Sequence, residues 1–148
     1  MSVRIERPAP DDAAAILQLL ESCGLPTDGL LDHLSTAVVA RAEEGVVGSA
    51  ALEVYSDGAL LRSVAVHETM RGSGLGHRLT ESALDVARGL NVPAVYLLTT
   101  TAERFFPKLG FHQIDRDQVP EGVRESIEFR SACPSTAIAM RRVLVDEG

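Results

Sequence analysis

Arg71-Gly72-Ser73-Gly74-Leu75-Gly76 is the stretch on which the reading of this chain turns. Before it runs LLRSVAV, an apolar, β-rich segment ending at Val66. After it, Leu75, Leu79, Ala83, Val86 and Leu90 recur at helical spacing. The glycines therefore sit at a strand-to-helix turn and open a long helix. Such a turn is an anion site. Glycines let the backbone come close, amide N–H groups point outward, and the helix N-terminus adds partial positive charge. Arg71 supplies a full charge with forked donors, and Ser73 and His77 stand beside it. The ligand that suits this arrangement is a pyrophosphate.

The spacing excludes two common pyrophosphate loops. A P-loop needs Lys-Ser/Thr after its last glycine, and here His77-Arg78 follow. A dinucleotide fingerprint needs GxGxxG, whereas Gly72, Gly74 and Gly76 read GxGxG. Arg71-x-x-Gly74-x-Gly76 instead resembles the (Q/R)xxGx(G/A) loop of the GNAT superfamily of N-acetyltransferases. The resemblance extends along most of the chain. IERPAPDD followed by AAAILQLL is similar to that family's first strand and helix. Phe106-Pro107-Lys108-Leu109-Gly110-Phe111 is similar to its late YxKLGF-like motif. The segment from Tyr96 to Phe106 and the tail from Ile114 to Met140 narrow the match. They resemble the acetyltransferase domain of N-acetylglutamate synthases. They resemble more closely the small stand-alone amino-acid acetyltransferases encoded beside arsenic-resistance genes.

The resemblance implies an α+β fold over residues 1–148. It has a mixed, mostly antiparallel central sheet of six to seven strands, flanked by about four helices. It also implies acetyl-CoA as cosubstrate, with its pyrophosphate on the loop from Arg71 to His77. Backbone groups of Val64, Ala65 and Val66 would pair with the pantetheine arm, as a strand adds to a sheet edge. The fourth and fifth strands would splay apart to admit the thioester, and Phe106 would pack against the cofactor arm. A small-molecule amine is the implied acceptor, and the family leaves room for a homodimer.

Composition agrees with a globular chain of that size. The 148 residues are 45% hydrophobic and carry a net charge of −7, which disfavours nucleic acid and acidic membrane as partners. The anion site is then a local exception, made by fixed dipoles and arginines. No segment has the length or flanks of a transmembrane span or signal peptide. Cys23 and Cys133 are far apart and lack metal spacing, so reduced thiols, a cytoplasmic location and no metal site are expected.

The coarse elements follow from pattern. Val3 to Arg7 reads as a strand, and Asp11 or Asp12 caps a helix to about Ser22. Leu30 to Leu34 reads as a short helix. Ala37–Ala42, Val46–Tyr55, Ala59–Val66 and Val95–Thr100 read as strands. A short helix covers Ala102 to Leu109, and segments after Phe111 and from Ser135 to Val145 form a final strand pair.

Period two places Leu60, Arg62 and Val64 on one strand face. The glutamate synthases have a glutamate at the position of Leu60, so their base is missing here. With the hairpin turn centred on Ser56-Asp57, Glu53 lies opposite Leu60 and shares its face. Two roles for Glu53 follow and are compatible: general base for the amine, or structural partner of Arg62. Arg62 itself has the fork that binds an amino-acid carboxylate in two places. Thr99 and Thr100 end the fifth strand, with Thr101 beyond, and their hydroxyls suit a substrate or water; β-propensity and helix capping are the plainer reasons for threonine there. Phe106 stands where relatives place a proton-donating tyrosine, and phenylalanine has no proton to give. Arg124, Glu125, Arg130 and Cys133 read as a solvated charged connection. An N-acetyltransferase and a catalytically idle acetyl-CoA-binding module are the two functions left.

Overall fold

The structure is a computed structural model, and it describes residues 3–25, 27–99, 104–126 and 137–144. In chain order the elements are β1 (Arg4–Glu6), α1 (Ala13–Ser22), β2 (Ala37–Ala42), β3 (Gly45–Tyr55), β4 (Gly58–Val66), α2 (Leu75–Gly89), β5 (Ala94–Thr99), β6 (His112–Ile114), α3 (Glu121–Arg124) and β7 (Ile138–Val143). Leu30–Thr36 is a 3₁₀ segment rather than a regular helix. The strands form one seven-stranded sheet in the order β1-β2-β3-β4-β5-β7-β6. Every neighbouring pair is antiparallel except β4 and β5, which are parallel. Parallel neighbours need a crossover, and α2 provides it.

Each face of the sheet is buried by different elements. On one face Leu79, Ala83, Leu84 and Ala87 of α2 pack on Val38, Leu52, Ala59 and Leu61. On the other, Ile16, Leu19 and Leu20 of α1 cover Val39, Ala51 and Ala65. Further along that second face, Val119 and Val123 cover Leu60, Tyr96 and Ala139. The connection read from sequence as solvated keeps Arg124 and Glu125 exposed, but it contains a short helix whose Val123 is buried. Val123 anchors α3, and the Asp57 carboxylate at the β3–β4 turn accepts the Gly122 N–H at 2.8 Å. A Cβ at Gly122 would fall 2.5 Å from Asp57 Oδ1, so any larger residue would have to displace the Asp57 carboxylate.

One irregularity matters for the site. Ala51 pairs with Arg62 and Ser49 with Ala65, so Ala50 alone faces both Ser63 and Val64. This is a β-bulge, with Ser63 at φ +58°. A non-glycine residue held there costs on the order of 1–3 kcal/mol, and local bonds must offset it. Ser49 Oγ donates to the Ser63 carbonyl at 2.7 Å, and Arg62 Nε donates to Ser63 Oγ at 3.1 Å. The bulge shifts the alternation by one. Ala59 and Leu61 face α2 before it, and Val64 and Val66 face α2 after it. The expectation that Val64 shares the face of Arg62 is therefore corrected: strict period two fails across an extra residue.

Asp12 is a second correction. It does not cap α1 forward. Its carboxylate accepts the Ala9 N–H at 2.7 Å and two Arg41 N–H groups at 3.1 and 2.7 Å. An arginine on β2 outcompetes the helix start because it offers a full charge in a matching fork.

Candidate active site

Strands β4 and β5 pair only at Ala59–Val95 and Leu60–Tyr96. Beyond that point β4 stays with β3 as far as Val66, and β5 stays with β7 as far as Thr99. The two strands part, and the stretch from Val64 to Val66 borders the opening. Thr99, mostly buried, lies on the far strand past the parting point. Thr100 and Thr101 lie outside the described residues, as do Arg130 and Cys133.

The glycine loop follows directly from the end of β4. Gly72 and Gly74 have φ +82° and +83°, and a Cβ at either would meet nothing within 4 Å. Backbone conformation, not crowding, selects glycine at both. Gly74 is the N-cap of α2, so the first amides of a fifteen-residue helix open onto the loop. Leu75 is buried in the core and fixes that helix end, while Arg71, Gly72, Ser73 and His77 are exposed and Gly76 is half-buried. Arg71 folds back along β4: its Nε donates to the Val66 carbonyl at 3.3 Å, and its Nη2 approaches Cys23 Sγ at 3.6 Å. Phe106 is buried, edge-to-face with Phe105 and Phe111 at centroid distances of 5.0 and 5.7 Å. Phe105 in turn lies 3.4 Å from where a Cβ on Gly76 would stand, tying this aromatic group to the loop.

The other centre lies on the opposite face of the sheet, between α1 and α3. Glu53 pairs with Leu60 across the hairpin, as the turn position predicts. Arg62 Nη1 donates to Glu53 Oε2 at 2.7 Å, and the two side chains are 0% and 1% exposed. The same Nη1 donates to the Asp28 carbonyl at 2.5 Å. The guanidinium thus ties the loop after α1 to the sheet, instead of presenting an open fork to solvent. Glu53 Oε1 accepts the Tyr55 hydroxyl. His33 Nε2 stands 3.6 Å from that same oxygen.

Tyr55 and His33 were missed from sequence. Tyr55 had a signal, since it is two residues from Glu53 and shares its strand face. His33 had none: it lies on an aperiodic 3₁₀ segment twenty positions upstream. Among the described residues, no group of three or more His, Cys, Asp or Glu side chains is arranged for a metal ion. No helix among them is long and apolar enough to cross a membrane.

This geometry has counterparts. The family model for the acetyltransferase (GNAT) domain matches residues 33–113, from the 3₁₀ segment through α2 to β6. The chain belongs to the GNAT acetyltransferase family. Among curated GNAT relatives, an amino-acid acetyltransferase of Neisseria meningitidis is 27% identical over 136 residues, covering 88% of this chain and 31% of the relative. One from Mycobacterium tuberculosis is 38% identical over 100 residues, covering 67% and 54%. The chain therefore spans between about a third and about half the length of these relatives. N-acetylglutamate synthase from Neisseria gonorrhoeae, solved with coenzyme A and N-acetyl-glutamate, superposes with a TM-score of 0.83 at 24% identity over 99% of this chain and 36% of that one. A Mycobacterium tuberculosis protein solved with CoA gives a TM-score of 0.79 at 28% identity, covering 96% of this chain and 99% of that one.

Proposed function

We propose that this chain transfers the acetyl group of acetyl-CoA directly to the α-amine of a small amino acid. One juxtaposition carries the reading. Strand β4 borders a parted edge that leads into a glycine-capped helix, and the sheet face opposite α2 holds a buried pair between Glu53 of β3 and Arg62 of β4. The names of the relatives, amino-acid acetyltransferases, support the same acceptor class.

In this reading the loop from Arg71 to His77 holds the pyrophosphate through backbone amides and the α2 dipole. Arg71 swings from the Val66 carbonyl to the phosphates, and that carbonyl becomes available to the pantetheine arm. Val64, Ala65 and Val66 receive the arm edge-on. Phe105 and Phe106 wall it. Glu53 is the carboxylate toward which the ammonium proton moves, directly or through another group, and Arg62 fixes its orientation. Thr99 lines the acceptor side. The amine attacks the thioester carbonyl with no covalent enzyme intermediate, and the thiolate leaves without a tyrosine to protonate it. An amino acid carrying arsenic or phosphorus is the finer acceptor we propose, on the resemblance to arsenic-linked acetyltransferases.

The test is thiol release from acetyl-CoA across amino acids, arsenic- and phosphorus-containing analogues, peptides and polyamines. The expected result is an N-acetylated α-amine product, abolished in Gly74→Asp together with acetyl-CoA binding. Binding without turnover on any acceptor would establish an idle acetyl-CoA-binding module, for which the missing carboxylate at Leu60 is the argument.

A further inference from the structure

Glu53 is 1% exposed, and both its oxygens are engaged: Oε2 by Arg62 and Oε1 by the Tyr55 hydroxyl. An amine entering between β4 and β5 meets no open carboxylate there. His33 is different. Its backbone leaves the helical region at φ −122°, ψ 17°, within the 3₁₀ segment. Its side chain is 26% exposed and brings Nε2 to 3.6 Å from Glu53 Oε1. That distance is ion-pair range, and a small ring movement closes it to a hydrogen bond.

We infer that His33 is the group that takes the ammonium proton, with Glu53 as the buried carboxylate that orients it. This rests on the acetyl-transfer reading above. With Nε2 turned to Glu53, Nδ1 is the nitrogen left for the acceptor. Imidazole as a class changes charge near neutral pH, which suits a base that must strip an ammonium and release the proton again. With both oxygens engaged by Arg62 and Tyr55, the Glu53 carboxylate is placed to partner an imidazolium and not to meet the amine. The charged and titratable groups around His33 fit that division. Glu53 faces it from β3, Tyr55 shares the Glu53 oxygen it approaches, Arg62 holds the other Glu53 oxygen from β4, and Asp32 is its neighbour in the chain.

The step balances. The substrate ammonium gives one proton to His33 Nδ1, which passes it to solvent. The neutral amine forms the C–N bond, and the C–S bond breaks with its electron pair going to sulfur. The nitrogen's second proton is lost as the amide forms, and the CoA thiolate takes it through water.

The test uses His33→Gln and His33→Ala in steady-state turnover, with and without added imidazole. Each variant should lose about 10²-fold in kcat at unchanged KM for acetyl-CoA. Imidazole should restore about tenfold of that loss in His33→Ala, where a space is left for it. Wild-type kcat in either variant overturns the assignment. So does a loss that imidazole does not restore, or one that tracks a lowered Tm in both variants. Glu53→Gln separates the failures. A slow Glu53→Gln beside a full-rate His33→Gln refutes the relay and leaves acetyl transfer standing. A full-rate Glu53→Gln refutes the Glu53–His33 pair as a whole. No turnover by the wild-type chain refutes both readings.

Discussion

Glu53–Arg62 and Asp12–Arg41 are the same chemistry in two settings. The first pair is 1% and 0% exposed, and the second is 12% and 26% exposed. Asp12 is gripped by two arginine nitrogens, and that hydrogen bonding, with the Ala9 N–H, holds its carboxyl below the ordinary carboxylate range. The same contact lifts the Arg41 guanidinium above its usual value. This is how a pair that fastens α1 to β2 should look: forked, wet at the rim and locally satisfied. Glu53 has a single arginine nitrogen, shared with a carbonyl, plus a tyrosine and a histidine. Removing two charges from water is expensive, and well-packed apolar residues would hold the hairpin as well. A buried pair of that kind is a weak device for stability. Its ring of proton-carrying neighbours fits the catalytic role proposed for it.

The comparison can be broken by mutation. Arg62→Met leaves Glu53 buried without its arginine and should lower unfolding free energy by about 3–5 kcal/mol. Arg41→Met should cost about 1 kcal/mol, because Asp12 can turn to water. Urea unfolding of both variants checks this, and equal losses would erase the distinction. The double change Glu53→Leu with Arg62→Met should recover most of the stability lost in Arg62→Met and none of the activity. A double variant as unstable as the single would mean that the pair is needed for the fold.

The smaller effect concerns pH. The Asp12 carboxyl is depressed in the folded chain, so its contribution to stability is present above its unfolded pKa and is lost as pH falls through the folded value. Asp12→Asn should therefore melt lower than the wild-type chain at neutral pH, and the two melting temperatures should converge in acid. A constant difference across that range would show that the charge of Asp12 is not what Arg41 reads.

What was legible in sequence divides along physical lines. The glycine loop was legible because its function lies in consecutive backbone positions with a strand before and a helix after. Glu53 opposite Leu60 was legible because a two-residue turn at Ser56-Asp57 fixes register for the whole hairpin. The bulge was not. Ser63 is a poor residue for positive φ, and the bonds that hold it there come from Ser49 and Arg62 after folding. Hence Val64 was assigned to the wrong face. The helix α3 was hidden for a related reason: four residues rich in charge give no periodicity, and Val123 is buried by where Asp57 pins Gly122. His33 reaches Glu53 only through a kink that no local pattern announces.

The most direct measurement is made on Glu53→Gln, a change that keeps shape and removes the charge. Acetyl-CoA affinity by calorimetry, Tm and kcat are taken on the same preparation. The account predicts kcat of the folded enzyme lower by about 10²–10⁴-fold with acetyl-CoA affinity close to wild-type, and a lowered Tm because Arg62 is left buried without a counter-charge. Wild-type kcat, or a loss no larger than the loss of folded protein, would contradict it and return Glu53–Arg62 to the class of Asp12–Arg41.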